Sequence, residues 1–147
     1  MNLLKTVMDI KNLKIQGAEN IALSAVKTIN EIVNASDKKD LAKELLKARN
    51  LLFGTRPTEP FMRNSLSYIF YNLNLENKNL DLLWLKREIN QRIFYVLKHF
   101  EESKAKITEI GVRKIKQNMV IFTHCHSSTV MAILKEAKKT TKFEVHV

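Results

Sequence analysis

The sequence predicts a mainly α-helical protein. A helical bundle over residues 1–116 is followed, over residues 117–147, by the opening βαβ unit of a doubly wound α/β sheet. Three observations predict this. Glycine (3) and proline (2) are scarce among the 147 residues, about 3% together against a typical level near 12%, so long helices with little tight turning are expected. Apolar residues recur at helical spacing as far as residue 116. At residue 119 the period changes to a continuous apolar run, Met119-Val120-Ile121-Phe122-Thr123, which suits a strand buried on both faces of a parallel sheet. An all-β sandwich, with a turn every ~8–12 residues, is excluded.

The elements follow in order. A first helix is expected from about Asn2 to Leu13 and a second from Ala18 to Val33, separated by Gly17. In the second, Ala22, Val26, Ile29 and Val33 share one face. Ser36 and Asp37 are N-cap candidates for a third helix, in which Leu41, Leu45, Ala48 and Leu52 form an amphipathic stripe that Gly54 ends. Thr55-Arg56-Pro57-Thr58-Glu59-Pro60 holds both prolines and must be a loop. Thr58 is placed to cap the helix that follows, and Pro60 is tolerated in its first turn. Met62, Leu66, Ile69 and Leu73 repeat the stripe, and the polar stretch from Asn72 to Asn79 is a connection. A long helix from about Leu80 to Ile115 has Leu82, Leu85, Ile89, Ile93, Val96 and Phe100 on its buried side, with a break or bend expected near Glu101–Lys104. After the first strand, Thr129 to Lys139 is helical, with Val130, Ile133, Leu134 and Ala137 inward. Phe143, Val145 and Val147 then alternate with Glu144 and His146 as a second strand. Two strands and one helix do not make an independently stable sheet, so the reading expects a piece of a larger protein, or half of a split one completed by a partner chain.

Composition narrows the function classes. No apolar run approaches the ~20 residues of a membrane span, and no signal-peptide pattern opens the chain. The single cysteine, Cys125, forms no internal disulfide and suits a reducing compartment, so a cytoplasmic location is expected. The net charge of +10 suggests phosphate-bearing partners. Half of that excess falls between Arg113 and Val147, around the loop and helix where a phosphate would be held; solvated helix faces are the plainer reading. Aromatic residues are not interleaved with this basic tail, which argues against nucleic acid.

In α/β sheets, ligands bind beyond the carboxyl ends of the strands. Here that place is Thr123 to Ser128. A helix starting at Ser127 or Ser128 directs free backbone N–H groups there, which favours an anion. A thiol at the same place has its pKa lowered by the helix N-terminus and neighbouring imidazoles. Cys125, between His124 and His126, is thus a candidate thiolate or thiol acid/base; the alternative is a small buried cysteine in a strand-to-helix turn. His124 orients the loop, His126 faces solvent, and His99 and His146 are structural in this reading. Two histidines around one cysteine lack the further ligands of a zinc site, and no cofactor is expected.

Four segments then carry a resemblance in combination: Lys14-Ile15-Gln16-Gly17-Ala18 followed by Ile21-Ala22, then Thr55-Arg56-Pro57-Thr58, then Asn64-Ser65-Leu66, and finally Ile121-Phe122-Thr123-His124-Cys125-His126-Ser127-Ser128. In this order the chain resembles the translation initiation factor 2B alpha/beta/delta family, nearest its archaeal ribose-1,5-bisphosphate isomerase-like branch, over nearly its whole length. The resemblance implies a helical domain followed by a Rossmann-like domain, full-length members about twice this size, and homo-oligomers formed through the second domain. It implies that Cys125 is one catalytic residue, that Arg56 contacts substrate phosphate, and that Gly17 and Ala18 help bind the phosphorylated sugar. Ser127 and Ser128 join them as phosphate-binding candidates. The resemblance also implies a catalytic Asp, with a neighbouring Asn-Lys, downstream of the residues present here.

Two departures bear on function. Gln16 stands where the isomerases commonly have Arg, and Glu19 where they often have Gly. A carboxylate ~4 Å from a phosphate costs on the order of 1–4 kcal/mol, depending on screening. The leading expectation is the N-terminal portion of an aldose–ketose isomerase of the ribose 1,5-bisphosphate to ribulose 1,5-bisphosphate type, inactive alone. The alternative is an initiation factor 2B-like regulatory subunit that binds initiation factor 2, a nucleotide or a sugar phosphate without chemistry.

Overall fold

The computed structural model describes residues 2–35, 40–77, 80–124 and 127–147. The chain forms two compact units, residues 1–97 and 98–147.

In the first unit, α1 (Leu3–Lys11) is started by Asn2, whose side chain accepts from the Leu4 N–H at 3.0 Å, and Lys11 complements the negative end of its dipole. Leu13 then adopts a left-handed φ of 58°, and the Lys14 and Ile15 N–H groups both donate to the Asp9 carbonyl. α2 (Ala18–Ala35) is the central helix, packing against α1, α3 (Leu41–Phe53) and α4 (Pro60–Ile69). Its Ala22, Ala25, Val26, Ile29 and Val33 are fully buried. So is the stripe Leu41, Leu45, Ala48 and Leu52 of α3, as the spacing predicts. Each such large apolar side chain contributes roughly 1.5–3 kcal/mol by leaving water. A buried hydroxyl pair, Thr6 and Thr28 at 3.1 Å, joins α1 to α2.

Helix starts differ from the sequence reading. α3 begins after Asp40, which makes no side-chain cap bond; Ser36 and Asp37 lie outside the described residues. α4 is capped by Glu59 rather than Thr58: the Glu59 carboxylate accepts from the Phe61 N–H at 3.3 Å, with Pro60 at the first helical position. α4 also stops at Ile69, before Leu73, because Asn72 turns left-handed with φ 53°. Arg92 of α5 (Leu82–Val112) accounts for the carbonyls freed there. Its guanidinium donates to the carbonyls of Tyr68 (3.5 Å), Ile69 (3.1 Å) and Tyr71 (2.5 Å), while Nε pairs with Glu88 at 2.8 Å. α5 is helical without interruption through Glu101–Lys104, where a break was expected.

In the second unit, β1 (Val120–Phe122) and β2 (Glu144–His146) pair in parallel, with Val120 opposite Glu144, Ile121 opposite Val145 and Phe122 opposite His146. α6 (Ser128–Ala137) connects them. Gly111, near the end of α5, lies directly against Ile133 of α6. The β1 run is not buried on both faces: Val120 is 66% and Phe122 77% exposed. Two strands and a single crossing helix present too little structure to cover both sides. Among the described residues, no helix is long and apolar enough to cross a membrane.

Candidate phosphate-binding site

The first unit supplies two candidate elements. Gly17 has φ +83°, a conformation that L side chains rarely adopt, although space around it is open. Backbone freedom therefore explains the glycine, since a left-handed residue costs other side chains roughly 1–2 kcal/mol. The Gly17 carbonyl accepts from the Ile21 N–H at 3.0 Å and starts α2. Two amide side chains brace the turn: Gln16 donates to the Leu13 carbonyl at 2.7 Å, and Asn20 to the Gln16 carbonyl at 3.1 Å. The first N–H groups of α2, beginning at Ala18, have no intrahelical acceptor and carry partial positive charge. Glu19 sits in the same turn, so a carboxylate already complements that charge and opposes a second anion.

Arg56 lies half-buried in the connection from α3 to α4. Its backbone is held from both sides. The neighbouring Thr55 is 8% exposed and sends both its N–H (3.0 Å) and its hydroxyl (2.5 Å) to the Leu52 carbonyl. The Arg56 carbonyl accepts from the Glu59 N–H at 3.1 Å. Among the described residues, no carboxylate or carbonyl engages the Arg56 guanidinium, which suits a side chain that binds a free anion.

In the second unit, Ser127 caps α6: its hydroxyl accepts from the Val130 N–H at 3.4 Å and its carbonyl from the Met131 N–H at 3.0 Å. Ser128, exposed, is the first helical residue. The strand–loop–helix order thus places a helix N-terminus just beyond β1, as the sequence predicts. Cys125 and His126 lie outside the described residues, and His124 is exposed. The structure brings Gly17 together with Ala18, and Ser127 with Ser128, each pair at a helix start.

The basic tail is not part of this loop. Lys135 and Lys138 lie at the C-terminal end of α6, Lys139 pairs with Glu136 at 2.7 Å, and Lys142 precedes β2. Arg113, which pairs with Glu109, and Lys114 and Lys116 precede β1. Along the helix axis, Lys135 and Lys138 thus lie roughly 10–15 Å from the Ser127 end. Both complement the negative end of the α6 dipole. Sequence reasoning also passed over Arg63, in the opening of α4. Its signal is that it places a cation where the helix dipole disfavours one.

Known proteins match this chain in sequence and in fold. Residues 14–147 match the model of the Initiation factor 2 subunit family. A ribose 1,5-bisphosphate isomerase of Pyrococcus furiosus is 35% identical over 132 residues, covering 87% of this chain and 41% of the relative. One from Thermococcus kodakarensis is 31% identical over 145 residues, covering 93% and 45%. This chain thus spans less than half the length of these relatives. The crystal structure of the Pyrococcus horikoshii translation initiation factor eIF-2B superposes with a TM-score of 0.79 at 23% identity, covering 97% of this chain and 48% of that one, so the fold is common to both. With the helical unit, the parallel strand pair and the match from residue 14 to residue 147 in agreement, this chain belongs to the Initiation factor 2 subunit family.

Proposed function

We propose that this chain carries the thiol and phosphate-holding part of an aldose–ketose isomerase acting on a sugar phosphate, of the ribose 1,5-bisphosphate to ribulose 1,5-bisphosphate type. The observation that carries this reading is the 35% identity to a ribose 1,5-bisphosphate isomerase across 87% of the chain. The anion-ready groups support it: the α2 start at Gly17 and Ala18, Arg56 on its braced connection, and the α6 start at Ser127 and Ser128. The reaction moves hydrogen between C1 and C2 and needs a paired acid and base. In this reading Cys125 is one of the pair, and a carboxylate from outside the present residues is the other. The protein works in the cytoplasm, where a free thiol stays reduced.

A second reading is favoured by one observation. Glu19 occupies the first turn of α2 and Gln16 is spent on the Leu13 carbonyl, which suits an initiation factor 2B-like regulatory subunit that binds without chemistry. Calorimetric titration with ribose 1,5-bisphosphate, combined with phosphorus NMR of the mixture, separates the two. The isomerase reading expects saturable binding, weakened about tenfold or more by Arg56→Ala, and no conversion by the 147-residue chain alone. Absence of binding, or binding indifferent to Arg56→Ala, refutes it. Conversion by this chain unaided refutes the need for an outside carboxylate. Retention of initiation factor 2 on the chain at physiological salt, without sugar-phosphate binding, supports the second reading.

A further inference from the structure

A second arginine stands at the same corner as Arg56. Arg63 lies in the opening of α4, and its guanidinium is 4.9 Å from the centroid of the Phe53 ring, the last residue of α3. Phe53 precedes Arg56 by three residues, so the stack ties Arg63 to the base of the Arg56 connection. The backbone there is stiff: Thr55 is locked to Leu52, Arg56 is bonded to Glu59, and Pro57 and Pro60 fix two φ angles.

The position is electrostatically costly. The start of a helix carries partial positive charge, so a cation there is disfavoured. Glu59, one turn earlier, spends its carboxylate on the Phe61 N–H and forms no direct bond to Arg63, so it offsets the cation only at a distance. Among the described residues, no carboxylate pairs with Arg63, whereas Arg92 and Arg113 are paired with Glu88 and Glu109. A cation over a ring keeps its N–H donors available, because the ring attracts it by charge and takes no classical hydrogen bond from it. A cation held over a ring, with no carboxylate bonded to it and seven residues after another uncommitted arginine, is arranged for an anion.

We propose that Arg63, parked on Phe53, is a second phosphate-binding residue, which together with Arg56 selects a doubly phosphorylated sugar over a singly phosphorylated one. This rests on the reading of Arg56 as a phosphate contact and names a specificity determinant beside it. A bisphosphate carries two dianionic groups, and the start of α2 is compromised by Glu19, so a second cationic fork is needed at the corner. Phe53 lowers the entropic cost of ordering the long side chain.

The test is calorimetric titration of the 147-residue chain with ribose 1,5-bisphosphate and with ribose 5-phosphate, repeated on Arg63→Gln, Arg63→Lys, Phe53→Leu and Arg56→Ala. Circular dichroism checks that each variant is folded. Arg63→Gln is expected to weaken bisphosphate binding about tenfold or more and monophosphate binding much less. Arg63→Lys should restore part of the loss, and Phe53→Leu should weaken bisphosphate binding with the charge intact. If Arg63→Gln leaves both affinities unchanged while Arg56→Ala weakens them, Arg63 has no such role and the Arg56 reading stands. Equal loss for both ligands refutes the selectivity. If the wild-type chain binds neither ligand, or Arg56→Ala changes nothing, the proposal and the reading beneath it fall together.

Discussion

Gly111→Ala probes how closely α5 and α6 approach. A Cβ built at Gly111 meets Ile133 at 2.6 Å (Cδ1), 2.8 Å (Cγ1) and 2.9 Å (Cγ2). Because Cγ1 and Cγ2 are attached directly to the branched Cβ rather than lying at a flexible tip, the whole Ile133 side chain must move. Overpacking of this kind costs roughly 1–3 kcal/mol. Replacing glycine by alanine in a helix returns roughly 0.5–1 kcal/mol, toward the low end near a helix terminus. Ile133 is only half-buried, so it has solvent to swing into, which places the net loss at about 0.5–2 kcal/mol. The sign should reverse when the obstacle goes: in an Ile133→Ala background, Gly111→Ala should stabilise by about 0.5 kcal/mol. Urea unfolding of the four-member cycle, followed by circular dichroism, measures both numbers, and hydrogen exchange of the α6 amides localises the effect. Stabilisation by Gly111→Ala alone, or the same loss in both backgrounds, would refute the close packing.

Two further outcomes follow from charged groups. Arg92→Ala should cost about 1–2 kcal/mol, because it removes the donor to the part-buried Ile69 carbonyl, while the exposed Tyr68 and Tyr71 carbonyls turn to water. Arg92→Lys should recover little, since an ammonium lacks the fork; thermal unfolding that shows full recovery with lysine contradicts this capping role. Glu109 is held below the usual carboxylate range, first by its hydrogen bond from Lys106, then by the Lys106 and Arg113 charges. With the folded pKa depressed, its contribution is complete above the unfolded pKa and is lost as pH falls through the folded one. Carbon-detected NMR titration should find its midpoint depressed, moving toward the ordinary value as salt is added; a midpoint unmoved by Lys106→Ala would contradict the assigned cause.

Apolar spacing made the helical unit legible. Leu41, Leu45, Ala48 and Leu52, and likewise Met62, Leu66 and Ile69, are all fully buried, because a period of 3.6 records which face meets the core. The end of α4 was not legible. Leu73 keeps the stripe on paper, yet Asn72 and Arg92 end the helix first, and Arg92 comes from another element. The cap at Glu59 was hidden for a local reason: Thr58 and Glu59 are both adjacent acceptors, and only backbone geometry chooses between them. In the second unit the order strand, helix, parallel strand was legible, whereas burial of β1 was not, since that depends on what packs against the sheet. Among the candidate residues, Gly17 was recognisable by type and its φ supplies the reason. The Phe53–Arg63 stack depends on how α3 and α4 meet at the corner, which no spacing encodes.

The Thr6–Thr28 hydroxyl pair gives α1 a single seat. Both side chains are essentially out of water, at 1% and 0% exposure. With one proton each, Thr28 donates to the Ser24 carbonyl at 2.9 Å and Thr6, 3.3 Å from the Asn2 carbonyl, donates across to Thr28 at 3.1 Å. Sliding α1 by one residue advances it ~1.5 Å and rotates it by roughly 100°, which would replace the hydroxyl by Lys5 or Val7 and leave Thr28 facing a group that cannot answer it. Attachment of the first helix is therefore a latch and not a sliding fit. A protease should find the segment before Gly17 either wholly protected or wholly open, with no partly released form between.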